Sequence, residues 1–169
     1  VSTADTENAD TSAGVDKTAE RVGEMARRNG AYVAVAESAT GGRISSRLAA
    51  VPESSDWFLG AVVSYRTSVK QDLLGVAPGP VISREAVTAM VEGVCRLTGA
   101  ESAVAVSGSA GPHEQEGQPA GTVWIAVSVA HRVRSEKRHF DGEPAEVLVA
   151  TEKRALEFLV EEMEREARQ

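Results

Sequence analysis

The residues best suited to chemistry stand together as Glu37-Ser38-Ala39-Thr40-Gly41-Gly42. An apolar, β-branched run precedes them and a helical pattern follows. A serine at such a joint sits where an activated hydroxyl can meet backbone donors for a tetrahedral oxygen. Two glycines let a ligand approach the backbone closely, and a helix start adds unpaired N–H groups and a positive dipole end. A competing reading makes Ser38 or Thr40 only the N-cap of the helix, and the local pattern taken alone favours it. No GxSxG, Walker or GxGxxG pattern occurs. A second small-residue loop, Ser107-Gly108-Ser109-Ala110-Gly111-Pro112, follows another apolar run. Two such loops facing each other could cradle a phosphate or an amide; alternatively the second is a surface turn. A third segment, Ser64 to Lys70, offers the Tyr65 phenol and the Lys70 amine. Lysine serves as a base only where burial or a nearby cation lowers its pKa; otherwise Lys70 is a solvated surface charge.

The elements that must position these groups read as alternating helix and strand. Residues 1–14 are polar and acidic and read as a disordered tail. A helix is expected from Val15 to Arg28, capped by Asp16 and stopped at Asn29-Gly30. Strands are expected at 31–37, 58–65, 102–107 and 122–130, with a polar edge strand near 133–140. Helices are expected at 43–51, 68–75, 84–98 and 142–166, the third capped by Ser83. Alternation of this kind predicts a single α/β domain over 15–169. Its architecture would be a three-layer α/β/α sandwich around a mostly parallel sheet, made mixed if the 122–140 pair is antiparallel.

Composition narrows the function. The chain has 169 residues, a net charge of -7 and a sequence pI near 5.1. That balance and 4% aromatics disfavour a nucleic-acid surface. One cysteine, Cys95, and three scattered histidines exclude Cys-rich zinc sites and offer no HxxxH pair. Neither a metal nor another cofactor is expected. No apolar run reaches a membrane span, and no signal pattern opens the chain, so a cytoplasmic protein is expected. Trp57, Phe58 and Tyr65 crowd one segment and offer a wall for a small aromatic ring, with core packing as the other role for Trp57 and Phe58. Broad Ala/Val faces such as 84–98 could pair copies into a homo-oligomer.

Taken in order, the segments resemble the C-terminal domain family of the competence/damage-inducible protein CinA. AESATGG is similar to the family's AES-C-TGG. FLGAVVSYRTSVKQDLLGV is similar to FxGGVVxYSNEAKxxLLGV, and ISREAVTAMVEGV, VSGSAGP and GTVWIAV follow at family spacing. The resemblance implies an amidase that converts nicotinamide mononucleotide and water to nicotinic acid mononucleotide and ammonia. It implies Ser38 as nucleophile, with Lys70 and Tyr65 for proton transfer and ordering. Thr40, Gly41 and Gly42 would shape the oxyanion or ligand pocket, and Ser107, Gly108 and Gly111 would line the substrate site. Ala39 stands where the family has Cys, and Ser109 replaces an apolar residue. His113-Glu114-Gln115-Glu116-Gly117 replaces a glycine-rich stretch, and two glutamates turned inward would repel an anionic substrate. Gly142-Glu143-Pro144 and Leu148 replace a GDR…R pattern whose arginines are candidate anchors; Arg43, Lys153 or Arg154 could stand in. Two further readings follow from these departures: a non-catalytic nucleotide-binding or regulatory module, and an amidase with another substrate.

Overall fold

The computed structural model describes the backbone of residues 3–169 and side chains from Ser12 onward. Five strands form one open sheet in the order β2-β1-β3-β4-β5. They are β1 (Val33–Glu37), β2 (Phe58–Val63), β3 (Ser102–Gly108), β4 (Thr122–Val129) and β5 (Arg132–His139). β1 pairs in parallel with β2 and β3, whereas the β3–β4 and β4–β5 pairs are antiparallel. The sheet is therefore mixed, the form expected if the 122–140 pair is antiparallel, with two parallel and two antiparallel pairings. Neither antiparallel pair has a crossover helix: the loop at 109–121 returns β3 to β4, and a short turn at Ala130 and His131, both with positive φ, joins β4 to β5 as a hairpin.

Helices cover both faces, as the alternation predicts. α1 (Thr3–Asn29), α2 (Arg43–Ala49) and α5 (Pro144–Ala167) lie on one face; α3 (Thr67–Leu74) and α4 (Arg84–Thr98) lie on the other. Side chains alternate along each strand, which divides the core in two. Val33, Val35, Val104 and Val106 pack with α1, α2 and α5. Ala34, Ala36, Ala103 and Ala105 pack with α4 and the end of α3. Small residues on this second face bring the helices close to the sheet.

α1 starts before Val15, so the backbone of residues 3–14 continues the helix, while residues 1 and 2 lie outside the described residues. Val15 is fully buried, and Asp16 is an interior residue of the helix that pairs with Arg47 rather than a cap. Ser83 caps α4 as expected, accepting from the Ala86 amide, and Gly99 ends it in the left-handed region. Gly93 allows α3 and α4 to touch: a β-carbon there would lie 2.3 Å from the Leu74 carbonyl oxygen. That contact fixes α3, the helix that carries Lys70.

Candidate active site

Strand register brings three serines to one level of the sheet. Glu37 aligns with Val63 on β2 and Val106 on β3. The next residues, Ser38, Ser64 and Ser107, therefore lie abreast at the carboxyl ends of three adjacent parallel strands, where open α/β sheets place their ligands. Alternation carries Ser38 to the face of Ala34 and Ala36, and Ser107 to that of Ala103 and Ala105, which is the α3/α4 face. A bulge between Phe58 and Gly60 resets β2 so that Ser64 falls on this face too. The Ser64 hydroxyl donates to the Glu37 carbonyl at 3.2 Å, and the Ser107 hydroxyl donates to the Val81 carbonyl at 2.6 Å. Ser38, half-buried between them, keeps a hydroxyl that engages no partner among the described residues.

Lys70 reaches this row from α3. Its side chain is buried, at 2% exposure, and among the described residues no carboxylate pairs with it. Its Nζ donates to the carbonyls of Ser64 at 2.7 Å and Tyr65 at 3.3 Å. Desolvation lowers its pKa from the ordinary lysine value, partly offset by the charge of Glu116. In its neutral form the amine would turn its lone pair away from those carbonyls, to which its two N–H groups donate. Tyr65 is 71% exposed and folds over the joint, its hydroxyl 3.5 Å from the Ala39 carbonyl oxygen. The joint of Ser38, the Tyr65 ring and Lys70 thus meet at the carboxyl ends of β1 and β2. Lys70 makes no hydrogen bond to Ser38; its bonds go to backbone.

The joint itself is held differently from the sequence expectation. The N-cap of α2 is Gly42, with φ of 100° and no side chain to cap with. Glu37, fully buried, supplies the missing acceptor. One carboxylate oxygen receives the Thr40 hydroxyl at 2.6 Å and the Gly42 and Ile44 amides at 3.1 Å each; the other receives the Ser45 amide at 2.8 Å. The Thr40 hydroxyl and the N-terminal amides of α2 are thereby committed inside the protein. The amides of Ala39 and Thr40 engage no acceptor among the described residues and are the donors that remain beside Ser38. Sequence reasoning placed Glu37 in the motif but gave it no role of its own. Its signal was a helix start lacking any Ser, Thr, Asp or Asn cap at Gly42.

The second loop closes the site from the side. Glu116 and Gly117 have positive φ, at 53° and 70°, in a tight turn bridged by Gln115 and Gln118. The turn aims the Glu116 carboxylate at the amides of Val81 and Ile82, at 2.9 Å each. Glu116 therefore latches two loops, and Glu114 is exposed. Gly108 and Gly111 are packing positions: a β-carbon would meet the Thr122 carbonyl oxygen at 2.6 Å and the Ala120 β-carbon at 3.2 Å, respectively. Trp57 and Phe58 do not join Tyr65 as a wall. They lie at the opposite end of β2, with Trp57 buried against α1. Arg154 is engaged by Glu136 and Glu161 on the far side of the sheet.

A groove of about 770 Å³ lies behind the joint between α1, α2 and α5. Asp16, Glu20 and Glu152 line it against Arg43 and Arg47, and Glu152 holds both arginines by their Nε atoms. Carboxylates outnumber guanidiniums there, so it does not favour an anion. It opens on the face away from Ser38. Among the described residues no group of three or more His, Cys, Asp or Glu could hold a metal, and no helix is long and apolar enough to cross a membrane.

Comparison with known proteins agrees with this architecture. The CinA C-terminal domain family matches residues 15–163. A nicotinamide-nucleotide amidohydrolase PncC from Pseudomonas putida is 44% identical over 149 residues, covering 85% of this chain and 93% of that protein. A putative competence-damage inducible protein from Desulforamulus reducens is 40% identical, covering 85% of this chain but 36% of its own length. The chain thus spans nearly all of the former and about a third of the latter. The crystal structure of a competence-damaged protein (CinA) superfamily protein from Enterobacter cloacae superposes with a TM-score of 0.86 at 28% identity, covering 88% of this chain and 92% of that one. The chain belongs to the CinA C-terminal domain family.

Proposed function

We propose that the protein is a serine-dependent amidohydrolase that acts on nicotinamide mononucleotide. The observation that carries this reading is the buried, carboxylate-free Lys70 at the same sheet end as the unengaged Ser38 hydroxyl. The 44% identity to a nicotinamide-nucleotide amidohydrolase supports the substrate. In this reading Ser38 Oγ attacks the carboxamide carbon while its proton passes to the Lys70 amine. The Ala39 and Thr40 amides stabilise the tetrahedral oxygen. The C–N bond then breaks, the Lys70 ammonium returns the proton to the leaving nitrogen, and ammonia departs from an acyl ester on Ser38. Water, giving its proton to Lys70, hydrolyses the ester to the carboxylate and restores Ser38. Tyr65 orders the joint and the substrate from its exposed position. For the substrate phosphate, the rim offers Arg66, free of ion pairs among the described residues, and Arg43, whose Nε is taken by Glu152. A phosphorylated nucleotide does not cross membranes unaided, so the cytoplasm is the setting this reading implies.

Ammonia release from nicotinamide mononucleotide by the purified chain tests the reading. Ser38→Ala should lower kcat by about a thousandfold or more while the protein stays folded. Retained turnover in that variant removes Ser38 as nucleophile. Ligand-dependent thermal stabilisation without any turnover in the wild type would favour the binding-module reading instead.

The reading also includes a homo-oligomer, but not through 84–98, since Val87, Met90, Val91 and Val94 are buried against the protein's own sheet. The support lies at β2. This edge strand has no charged residue from Trp57 to Tyr65 and exposes Leu59 and Val63, whereas the opposite edge, β5, carries Arg132, Arg134, Glu136, Lys137 and Arg138. Native sheets guard open edges with charge, and an unguarded edge is suited to pairing with a second copy. Sedimentation velocity at micromolar concentration should show a dimer or larger; a monomer would remove this part.

A further inference from the structure

We infer that Glu37 is the positioning residue of the nucleophile joint, an inference that rests on the amidase reading above. Its carboxylate is fully buried, and among the described residues no cation pairs with it. A buried carboxylate is tolerated only where donors replace its water. Here four do: the Thr40 hydroxyl and the amides of Gly42, Ile44 and Ser45. Every donor comes from the eight residues that follow Glu37. The chain leaves β1, wraps around this one side chain, and enters α2 on its far side. Ser38, Ala39, Thr40 and Gly41 are the wrap.

Three consequences follow from that geometry. The direction of the Ser38 hydroxyl and of the Ala39 and Thr40 amides is set by a loop whose hub is Glu37. The N-terminal amides of α2 are spent inside the loop: those of Gly42, Ile44 and Ser45 on the hub, and that of Arg43 on the Thr40 carbonyl at 3.0 Å. The oxyanion donors are therefore in the wrap, ahead of the helix. Finally, Gly41 and Gly42, at φ of 57° and 100°, let the chain close the loop tightly enough for two successive turns to face the same carboxylate.

Glu37 touches no reacting atom, so its effect falls on the orientation of groups that do. Misplacing reacting groups by about 1 Å costs on the order of a hundredfold in rate. Glu37→Gln keeps the shape but replaces one accepting oxygen by an NH2 that meets a donor. In the full chain, kcat for ammonia release should fall about tenfold or more. KM should stay within about twofold, because the hub does not contact substrate. The pH midpoint of kcat should not move, since Lys70 sets it. By NMR hydrogen exchange, the Gly42, Ile44 and Ser45 amides should exchange about tenfold faster or more, with Ala103 to Val106 on β3 unchanged. Unchanged kcat overturns the inference. So does a loss that only follows the folded fraction, with exchange rising equally along β3. A wild type that releases no ammonia removes the amidase reading, and the exchange pattern then decides the hub alone: local loss supports it and uniform loss overturns it.

Discussion

Lys70 and Arg154 are both cations held by the body of the protein, yet they sit in opposite surroundings. The Lys70 ammonium faces two backbone carbonyls and no carboxylate, and burial drives its pKa down. Arg154, at the β5–α5 corner, is forked onto Glu161 and Glu136, stacks over Phe158 at 5.2 Å, and has its pKa raised first by Glu161 and then by Glu136. One corner destabilises its charge; the other neutralises it. A lysine whose charge burial disfavours gives up its proton at lower pH than a free one, whereas a saturated guanidinium can only hold structure. On the amidase reading, the difference separates the sheet edge suited to turnover from the edge suited to cohesion.

The largest expected effect tests the first half of this contrast. Lys70→Met should lower kcat by about a hundred- to ten-thousandfold, the range for removing a general acid–base group. Stability should not fall in step. With the folded pKa below the unfolded value near 10.5, wild-type Lys70 carries a desolvation penalty at neutral pH. That penalty is relieved as pH rises from the folded pKa towards the unfolded one, because the unfolded state then binds more protons. Methionine avoids the penalty but leaves two carbonyls without a donor, so at pH 7 the melting temperature should match or exceed wild type to within a few degrees. Wild-type kcat should rise with pH below the ordinary lysine range, and the variant should lose that rise. A variant that keeps its turnover, or unfolds at neutral pH, breaks the contrast.

Much of this arrangement was legible in the residues. The β-branched runs, the Ser83 cap and the glycine stops at 75 and 99 named the elements, because each acts within a few residues of itself. Ser38, Tyr65 and Lys70 were legible as candidates from type and position. Their convergence was not, because it depends on the register of β1 against β2 and on α3 packing at Gly93. Glu37 was hidden for a related reason. A glutamate ending an apolar strand reads as the point where the chain meets water, and only the wrap of the following eight residues buries it. The aromatic wall failed because adjacency in sequence places Trp57 and Tyr65 at opposite ends of one strand, about 3.3 Å per residue apart along it. The antiparallel 122–140 pair was legible, but the antiparallel pairing of β3 with β4 was not, because the loop at 109–121 carries no local signal of the direction in which the chain returns.

The smaller effect tests the other corner. Arg154→Met should leave kcat and KM unchanged per folded molecule, since the β5–α5 corner lies away from Ser38. It should cost about 1–3 kcal/mol of stability, the usual loss when charged hydrogen bonds in a partly buried pair are broken. The pH dependence separates this from simple loss of packing. Burial pushes the Glu136 carboxyl up, but the hydrogen bonds from Arg154 and Arg138 outweigh it and hold the pKa below the ordinary carboxylate value of 4.5. A carboxylate with a depressed folded pKa contributes stability above its unfolded pKa and loses it as pH falls through the folded one. Chemical denaturation at pH 7 should therefore show the full gap between wild type and Arg154→Met. The gap should narrow on acidification below the ordinary carboxylate range, as Glu136 takes up its proton in both proteins. A gap that stays constant through and below that range would assign the cost to the lost contact with Phe158. A loss of kcat at full folding would mean the cohesive corner also governs the chemical one, and the division between the two sheet edges would fail.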